Sequence, residues 1–367
     1  MFLSHILRLK RGLTLAFFCS VSLSVSSTDL PSLPEAVSNN AVAKVSTRQG
    51  DYLLSFMGLA EGKTYRDVHN KVWALKLGGS GGSQSLNEWQ PKSPVPSSLP
   101  LKGRLASIAV GIGDQAYIFG GYTVDKDHRE ISSPDNFAYQ LEADSYRKIA
   151  NTPVPVDDTT ALVYQSRYIY LISGWHNDGN VNLVQLYDTQ TDTWQQATPF
   201  PGVPVFGHAG GIVDESMLVC DGVKVQAREK QRRTFLAEPA CYLGTVDSAD
   251  PTKIDWRIVK HPTGVARYRM AATGVAGSKQ IIFYGGSDNP YNYNGIGYNS
   301  LPAEPSEQRW LFDLNSFTWN MQQLLWPSMD HRGMLLIGLK GRLRGVTVGG
   351  MGKQQRILSE VRLIPVQ

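Results

Sequence analysis

The apolar residues of this chain recur in short runs, and each run ends in two glycines or a close variant of that pair. The runs are rich in β-branched and aromatic residues and too short for helices, which is typical of buried strands. With their terminal glycines, the runs occupy residues 117–121, 170–174, 217–222, 282–286 and 346–350. A weaker copy occupies residues 53–58. The spacing of roughly 50 to 65 residues predicts a repeated four-stranded unit with loops of variable length.

A second repeated feature follows most glycine pairs. It consists of two aromatic residues that are seven positions apart. The pairs are Tyr139 and Tyr146, Tyr187 and Trp194, and Phe312 and Trp319. Short polar segments such as 188–192 lie between the partners, which predicts hairpins. We expect the glycines to permit close backbone approach, and the paired aromatics to pack between neighbouring units.

This combination of glycine pairs and spaced aromatics resembles the kelch repeat, and the resemblance covers nearly the whole chain after the N-terminus. It implies an all-β fold, a six-bladed β-propeller formed as one domain by residues 28–367. Only six residues follow Val361, too few for an outermost strand in the last blade. We therefore expect an N-terminal strand within residues 30–37 to complete that blade and close the ring.

Composition agrees with many short strands, because 35 of the 367 residues are Gly, 10% are aromatic and only 19% are charged. Such values exclude a disordered chain or a coiled coil. Length alone would suggest two domains, but six blades account for it in one.

The N-terminus predicts export. Arg8, Lys10 and Arg11 precede an apolar stretch at 12–25 that ends in small residues, so residues 1–27 are expected to form a secretory signal peptide. Its removal takes the net charge from +4 to +1, which leaves no compositional support for a nucleic-acid partner. We expect a periplasmic or secreted protein with no membrane segment after cleavage; an uncleaved anchor and lipid attachment at Cys19 are the alternatives. Cys220 and Cys241 then either form a disulfide or stay as two buried thiols.

The predicted functional face carries the long loops between second and third strands, at 61–70, 122–136, 223–239 and 287–308. The starts of the inner strands should open on the same face near the axis. They carry polar residues suited to binding an anion or to acid/base catalysis, namely Arg104, Asp157, Asp158, His208, Arg267, Arg269, His331 and Arg332. Trp175 and the loop residues His176, Tyr291, Tyr293 and Tyr298 could stack on a sugar ring.

An exported six-bladed kelch chain of this length resembles the bacterial N-acetylneuraminate epimerases, or sialic acid mutarotases. This resemblance implies an isomerase of carbohydrate metabolism that interconverts the anomers of sialic acid or a related acidic sugar, without cofactor or metal. It implies a carboxylate clamp of Arg104 and Arg332, which match family arginines, assisted by Arg267 or Arg269. His208, or one of Asp157 and Asp158, would be the acid/base group.

One position departs from that family, which has a Glu after the glycine of the fourth blade where this chain has Val223. Glu238 or Glu229 is expected to replace it, with Arg228, Arg232 or Arg233 as its cation. The alternative is a noncatalytic module that binds a glycan or an envelope protein through the same face. A carboxyl group that titrates near neutrality at the mouth would favour the enzyme.

Overall fold

Six antiparallel sheets follow one another along the chain, so the prediction of an all-β, six-bladed propeller is confirmed. The structure is a computed structural model that describes residues 30–78, 88–227, 229 and 233–366. The predicted signal peptide, 1–27, lies outside these ranges, as do Arg228 and Arg232.

The first three blades each contain four strands, listed from N- to C-terminus. Blade 1 contains β1 (Ala41–Thr47), β2 (Gly50–Leu59), β3 (Val68–Lys76) and β4 (Gln90–Lys92). Blade 2 contains β5 (Ile108–Ile112), β6 (Gln115–Phe119), β9 (Asn136–Gln140) and β10 (Ser145–Ile149), with the small hairpin β7 (Tyr122–Val124) and β8 (Glu130–Ser132) between its second and third strands. Blade 3 contains β11 (Thr160–Tyr164), β12 (Tyr168–Ile172), β15 (Val184–Asp188) and β16 (Thr193–Gln196), with the hairpin β13 (Trp175–His176) and β14 (Gly179–Asn180).

The other three blades repeat this order, but the last has only three strands among the described residues. Blade 4 contains β17 (Ala209–Val213), β18 (Ser216–Cys220), β21 (Cys241–Val246) and β22 (Ile254–Val259), with the hairpin β19 (Val223–Gln226) and β20 (Thr234–Ala237). Blade 5 contains β23 (Ala271–Val275), β24 (Gln280–Tyr284), β25 (Ser306–Asp313) and β26 (Thr318–Ser328). Blade 6 contains β27 (Leu335–Leu339), β28 (Arg342–Val348) and β29 (Val361–Pro365).

Helical structure in the described part of the chain is limited to three single 3₁₀ turns, at Tyr65–Asp67, Ala276–Ser278 and Lys353–Gln355. None of them is long or apolar enough to cross a membrane.

The hydrophobic core is divided among the blade interfaces, with one buried cluster between each pair of neighbours and one more under the loops. The paired aromatics belong to these interfaces. Tyr187 and Trp194 lie directly opposite each other on β15 and β16, with ring centroids 5.0 Å apart. Phe119 of blade 2 packs edge-on against Tyr187, with centroids 5.8 Å apart. Edge-to-face contacts of this kind hold neighbouring blades together.

Backbone conformation explains why glycine recurs at the pairs. Both positions of every pair have positive φ in all six blades. The first positions are Met57, Gly120, Ser173, Asp221, Gly285 and Gly349, and the second positions are Gly58, Gly121, Gly174, Gly222, Gly286 and Gly350. Only the second position is always glycine. There a side chain would clash, since a methyl group at Gly121 would lie 2.0 Å from Ser107 Oγ and 2.7 Å from the Leu105 carbonyl oxygen.

Six equivalent residues surround the propeller axis and are called the axial ring here: Asn39, Ala106, Asp158, Gly207, Arg269 and Asp330. All six have left-handed φ values, between 49° and 66°. Backbone hydrogen bonds pass from blade to blade along the ring, since Asp158 donates to Ala106, Gly207 to Asp158 and Arg269 to Gly207 at 2.8 to 3.1 Å. The ring closes through Asn39, which accepts from the Ala106 N–H and donates to Asp330 Oδ1.

The segment before β1 contributes to closure in a different way from the one predicted. Among the described residues it does not add a fourth strand to blade 6, whose sheet ends at β29. Instead it runs as an irregular segment: Leu33 and Val37 donate backbone hydrogen bonds to Ser359 and Leu358, and Gly350 donates to Val37. Leu33 and Val37 are buried against both blade 6 and blade 1. This segment thus joins the two blades without strand pairing.

We expect Gly121→Ala to destabilise the fold far more than Gly113→Ala. Both residues have positive φ, which costs a Cβ-bearing residue about 1 to 2 kcal/mol, but only Gly121 has atoms within 4 Å of the added methyl group. Overpacking should add about 1 to 3 kcal/mol at Gly121. Urea unfolding of both variants measures the difference, and equal losses would contradict the steric explanation.

Candidate functional site

A cavity of about 930 Å³ opens on the face that carries the long loops. Its floor lies beside the axial ring and its walls come from blades 2 to 5. The lining includes Tyr122, His128, Glu130, Asp157, Asp158, Trp175, Phe206, Arg233, Phe235, Leu236, Arg269, Tyr293, Tyr298 and several asparagines between 292 and 299. The predicted functional face therefore contains a large cavity.

The repeat itself delivers side chains to the cavity at fixed positions. In every blade the residue after the glycine pair forms a short β-bridge with the residue before the axial ring. Trp175 pairs in this way with Asp157, and Phe206 with Val223. Residues at these two positions and in the ring point toward the mouth, which explains why Tyr122, Trp175 and Asp157 all line it.

A cluster of four buried charges forms the floor. Arg269 contacts Asp158 at 2.5 Å and Asp330 at 3.1 Å, while Arg332 contacts Asp158 at 2.9 Å. Burial alone would raise the pKa of Asp158, but Arg269 and Arg332 hold it below its usual range. The two arginines and two aspartates compensate one another, so the floor is close to neutral in total charge.

Two further carboxyl groups in the cavity have raised pKa values, in contrast to Asp158. Asp157 is buried, and desolvation together with the neighbouring Asp158 carboxylate raises its pKa well above the usual range. Ser132 donates a hydrogen bond to Asp157 at 2.7 Å. The Glu130 side chain is exposed to solvent at the cavity, but the protein around it removes part of its hydration, and this desolvation raises its pKa to about 7. Asp157 and Glu130 therefore both hold a proton more readily than ordinary carboxyl groups do.

One wall of the cavity is aromatic. Phe235 stacks on Tyr298, with centroids 4.2 Å apart, and Phe206 packs edge-on against Trp175 at 5.4 Å. The Arg233 guanidinium lies over the Trp175 ring, 4.8 Å from its centroid. This wall offers flat apolar surface beside the carboxyl groups.

Seven of the residues that the sequence suggested for the site line the cavity: Asp157, Asp158, Trp175, Arg233, Arg269, Tyr293 and Tyr298. His208 and Arg332 lie instead beside a narrow axial channel of about 40 Å³ that also contacts Asp158. Burial lowers the pKa of His208 to about 4, so its imidazole is neutral at neutral pH. The structure thus places His208 and Arg332 beside the narrow channel and outside the lining of the 930 Å³ cavity.

Arg104 does not lie at the mouth as expected. It is fully buried within blade 2, where it donates to the carbonyl oxygens of Gly120 and Asp135 and to Ser133 Oγ. All three contacts are made by Nη1 and tie the guanidinium to groups of its own blade. The structure therefore does not support the expected role of Arg104 in an anion clamp.

Arg267 and Glu238 are also outside the cavity lining. Arg267 pairs with Asp288 at 3.2 Å, and Glu238 pairs with Lys224 at 2.5 Å. Both side chains are held by neighbours on the loops, so neither meets the carboxyl groups of the cavity as expected.

Glu130 was not chosen as a site residue from the sequence, and Arg233 was named only as one of three possible cations for a replacement carboxylate, although both line the cavity. They lie on the inserted hairpins of blades 2 and 4, whose fold has no repeat pattern to place them. Tyr122 had a usable signal, because it directly follows a glycine pair as Trp175 does.

A possible ligand set outside the cavity groups Asp221, Cys241 and His261, whose ligand atoms lie within 4.8 Å of one another. Cys241 is bonded to Cys220 in a disulfide between β18 and β21, which decides between the two predictions for these cysteines. His261 Nε2 lies 2.7 Å from Asp221 Oδ1, and its Nδ1 accepts from the Gly264 N–H. These groups satisfy each other and leave no thiolate for a metal.

Comparison with known proteins agrees with this architecture. An F-box/kelch-repeat protein of Arabidopsis thaliana is 28% identical over 147 residues, covering 37% of this chain and 38% of the relative. The human kelch domain-containing protein 3 is 22% identical over 211 residues, covering 53% of this chain and 52% of the relative. The chain is a kelch-repeat β-propeller.

This chain therefore matches between about two fifths and half of the length of these relatives. A solved structure, that of YjhT, superposes on 92% of this chain and 97% of its own, with a TM-score of 0.68 and 14% identity. At that identity the likeness concerns the fold alone. No protein-family profile matches the chain.

We expect Arg332→Met to lower the free energy of unfolding by about 3 kcal/mol or more, because it leaves buried carboxylates uncompensated. The exposed Arg342→Met should change it by no more than about 0.5 kcal/mol. Urea unfolding tests this, and a similarly small loss for both variants would show that the buried cluster is not needed.

The raised pKa of Glu130 makes its ionisation a cost to the folded state. Since the folded pKa of about 7 exceeds the ordinary value of 4.5, the stability contributed by holding the proton is lost as the pH rises between these values. We expect Glu130→Gln to gain free energy of unfolding relative to wild type between pH 5 and pH 8. Glu142→Gln, on the exposed turn between β9 and β10, is the control. A pH-independent difference would mean that Glu130 titrates normally.

Proposed function

We propose that the chain is an exported sugar mutarotase or epimerase that acts on sialic acid or a related acidic sugar by general acid/base ring opening. The observation that carries this proposal is the pair of cavity carboxyl groups, Glu130 and Asp157, whose pKa values are both raised. Groups of this kind are needed for proton transfer at neutral pH, whereas binding alone does not require them.

The reaction needs one group to take a proton and another to give one. As a carboxylate, Glu130 removes the proton of the anomeric hydroxyl, while protonated Asp157 donates to the ring oxygen as the bond between that oxygen and the anomeric carbon breaks. Rotation about the bond between the former anomeric carbon and the adjacent ring carbon turns the other face of the new carbonyl group toward the ring hydroxyl. Reversal of both proton transfers then closes the ring as the other anomer and restores both groups. A single substrate and no net redox change are involved, so the cycle requires no cofactor.

The wall of the cavity suits a sugar. Aromatic rings such as Trp175 and Phe235 pack against the apolar side of a pyranose, and the asparagines of the blade 5 loop can hydrogen-bond to its hydroxyl groups. Arg233 provides a cation for a substrate carboxylate, in place of the expected Arg104 and Arg332. The resemblance to sialic acid mutarotases supports the choice of substrate.

Export remains part of the proposal and rests on the N-terminal sequence pattern. The disulfide between Cys220 and Cys241 is consistent with it, because such bonds persist in oxidising compartments.

NMR saturation transfer between the anomers of free sialic acid tests the activity. Micromolar protein should speed the exchange, and Glu130→Gln should reduce the enzymatic rate by roughly 10²- to 10⁴-fold. The rate should rise with pH as Glu130 ionises near pH 7. Glu142→Gln should keep full activity. Absence of acceleration by wild-type protein would reject the enzyme and favour a noncatalytic glycan-binding module.

A further inference from the structure

Arg233 occupies the aromatic surface that a sugar would need. Its guanidinium carbon lies 4.8 Å from the centroid of the Trp175 ring and 5.8 Å from that of Phe235. Its Nη1 donates to the Asp178 carbonyl oxygen at 2.5 Å, on the turn between β13 and β14. One backbone acceptor and two ring faces therefore hold an otherwise exposed side chain over the mouth.

Arg233 also differs from the other arginines near the cavity in its burial and in its ion pairing. Arg269 and Arg332 are fully buried and paired with Asp158 and Asp330. Among the described residues that line the cavity, Arg233 is the only arginine or lysine without a carboxylate partner in an ion pair. Arg233 interacts electrostatically with Glu130 without forming an ion pair, so its guanidinium can still bind an incoming anion.

We infer that Arg233 is a selectivity gate for the cavity: it covers Trp175 against neutral sugars and moves aside for a sugar that carries a carboxylate. The inference rests on the proposed function for the identity of the ligand. A neutral sugar must displace the guanidinium from the aromatic wall and gains nothing in return. An acidic sugar replaces that contact by a hydrogen-bonded ion pair, which is the stronger interaction.

This arrangement has an unusual consequence, since loss of Arg233 should change affinity for the two kinds of sugar in opposite directions. The sugar with a carboxylate loses its ion-pair partner, whereas the neutral sugar gains an uncovered Trp175. A residue that merely supports the loop would change both affinities in the same direction.

The test uses a ligand whose anomeric centre is locked, so that binding is measured apart from catalysis. The methyl glycoside of N-acetylneuraminic acid is the acidic probe, and the methyl ester of the same glycoside is its neutral counterpart. Calorimetric titration gives Kd for both with wild-type protein and with Arg233→Gln. We expect about tenfold weaker binding of the acid and about two- to fivefold tighter binding of the ester.

Arg129→Gln is the matched control, because Arg129 lies on the neighbouring hairpin, pairs with Asp125 and does not line the cavity. It should leave both Kd values unchanged. Arg233→Lys keeps the charge but not the planar group, and should retain most of the affinity for the acid. Parallel losses for both probes in Arg233→Gln, unchanged affinities, or no binding of the acid by wild type would each overturn the gate.

The outcome is separable from that of the anomer-exchange experiment. Opposite changes in affinity without accelerated exchange would keep the gate and reject the catalytic role. Accelerated exchange with parallel or absent changes in affinity would keep the catalytic role and reject the gate.

Discussion

The hydrogen-bonded axial ring is the constraint on which the rest of this structure depends. Each blade supplies one residue in left-handed conformation, and the N–H groups of three of them donate to the ring residue of the blade before. A left-handed residue turns the chain sharply, so the link from the previous blade can enter the inner strand beside the axis. Asn39 completes the ring with its side chain and thereby joins the first blade to the last.

The ring also determines the electrostatics of the cavity. Because Asp158, Arg269 and Asp330 are ring members, their charges are fixed by the same backbone that closes the propeller. The arginines stabilise the Asp158 carboxylate, and that charge then disfavours ionisation of Asp157 next to it. The pKa values of two adjacent carboxyl groups are thus shifted in opposite directions, a separation that acid/base chemistry uses.

The repeat made the architecture predictable, whereas the site was predictable only in part. Glycine pairs and spaced aromatics report backbone geometry that every blade needs, so they locate the strands, the blades and the loop-bearing face. The same reasoning placed Asp158, Arg269 and Trp175 near the mouth. It did not distinguish Arg104, which turns into its own blade, because sequence position near an inner strand does not determine side-chain direction. Glu130 and Arg233 lie on hairpins specific to single blades, and their positions depend on tertiary contacts with other loops.

The bridge between the residue after each glycine pair and the residue before the axial ring separates structural from variable positions. Glycine is required where a methyl group would strike the backbone, but the bridged neighbours in different blades include Tyr, Trp, Val, Ser and Met. Natural variation can therefore exchange the cavity surface one blade at a time while the sheets remain intact. In such a scaffold, the residues that maintain the fold are not the residues that contact the ligand. Proteins with the same six blades can therefore diverge in the ligands that they bind.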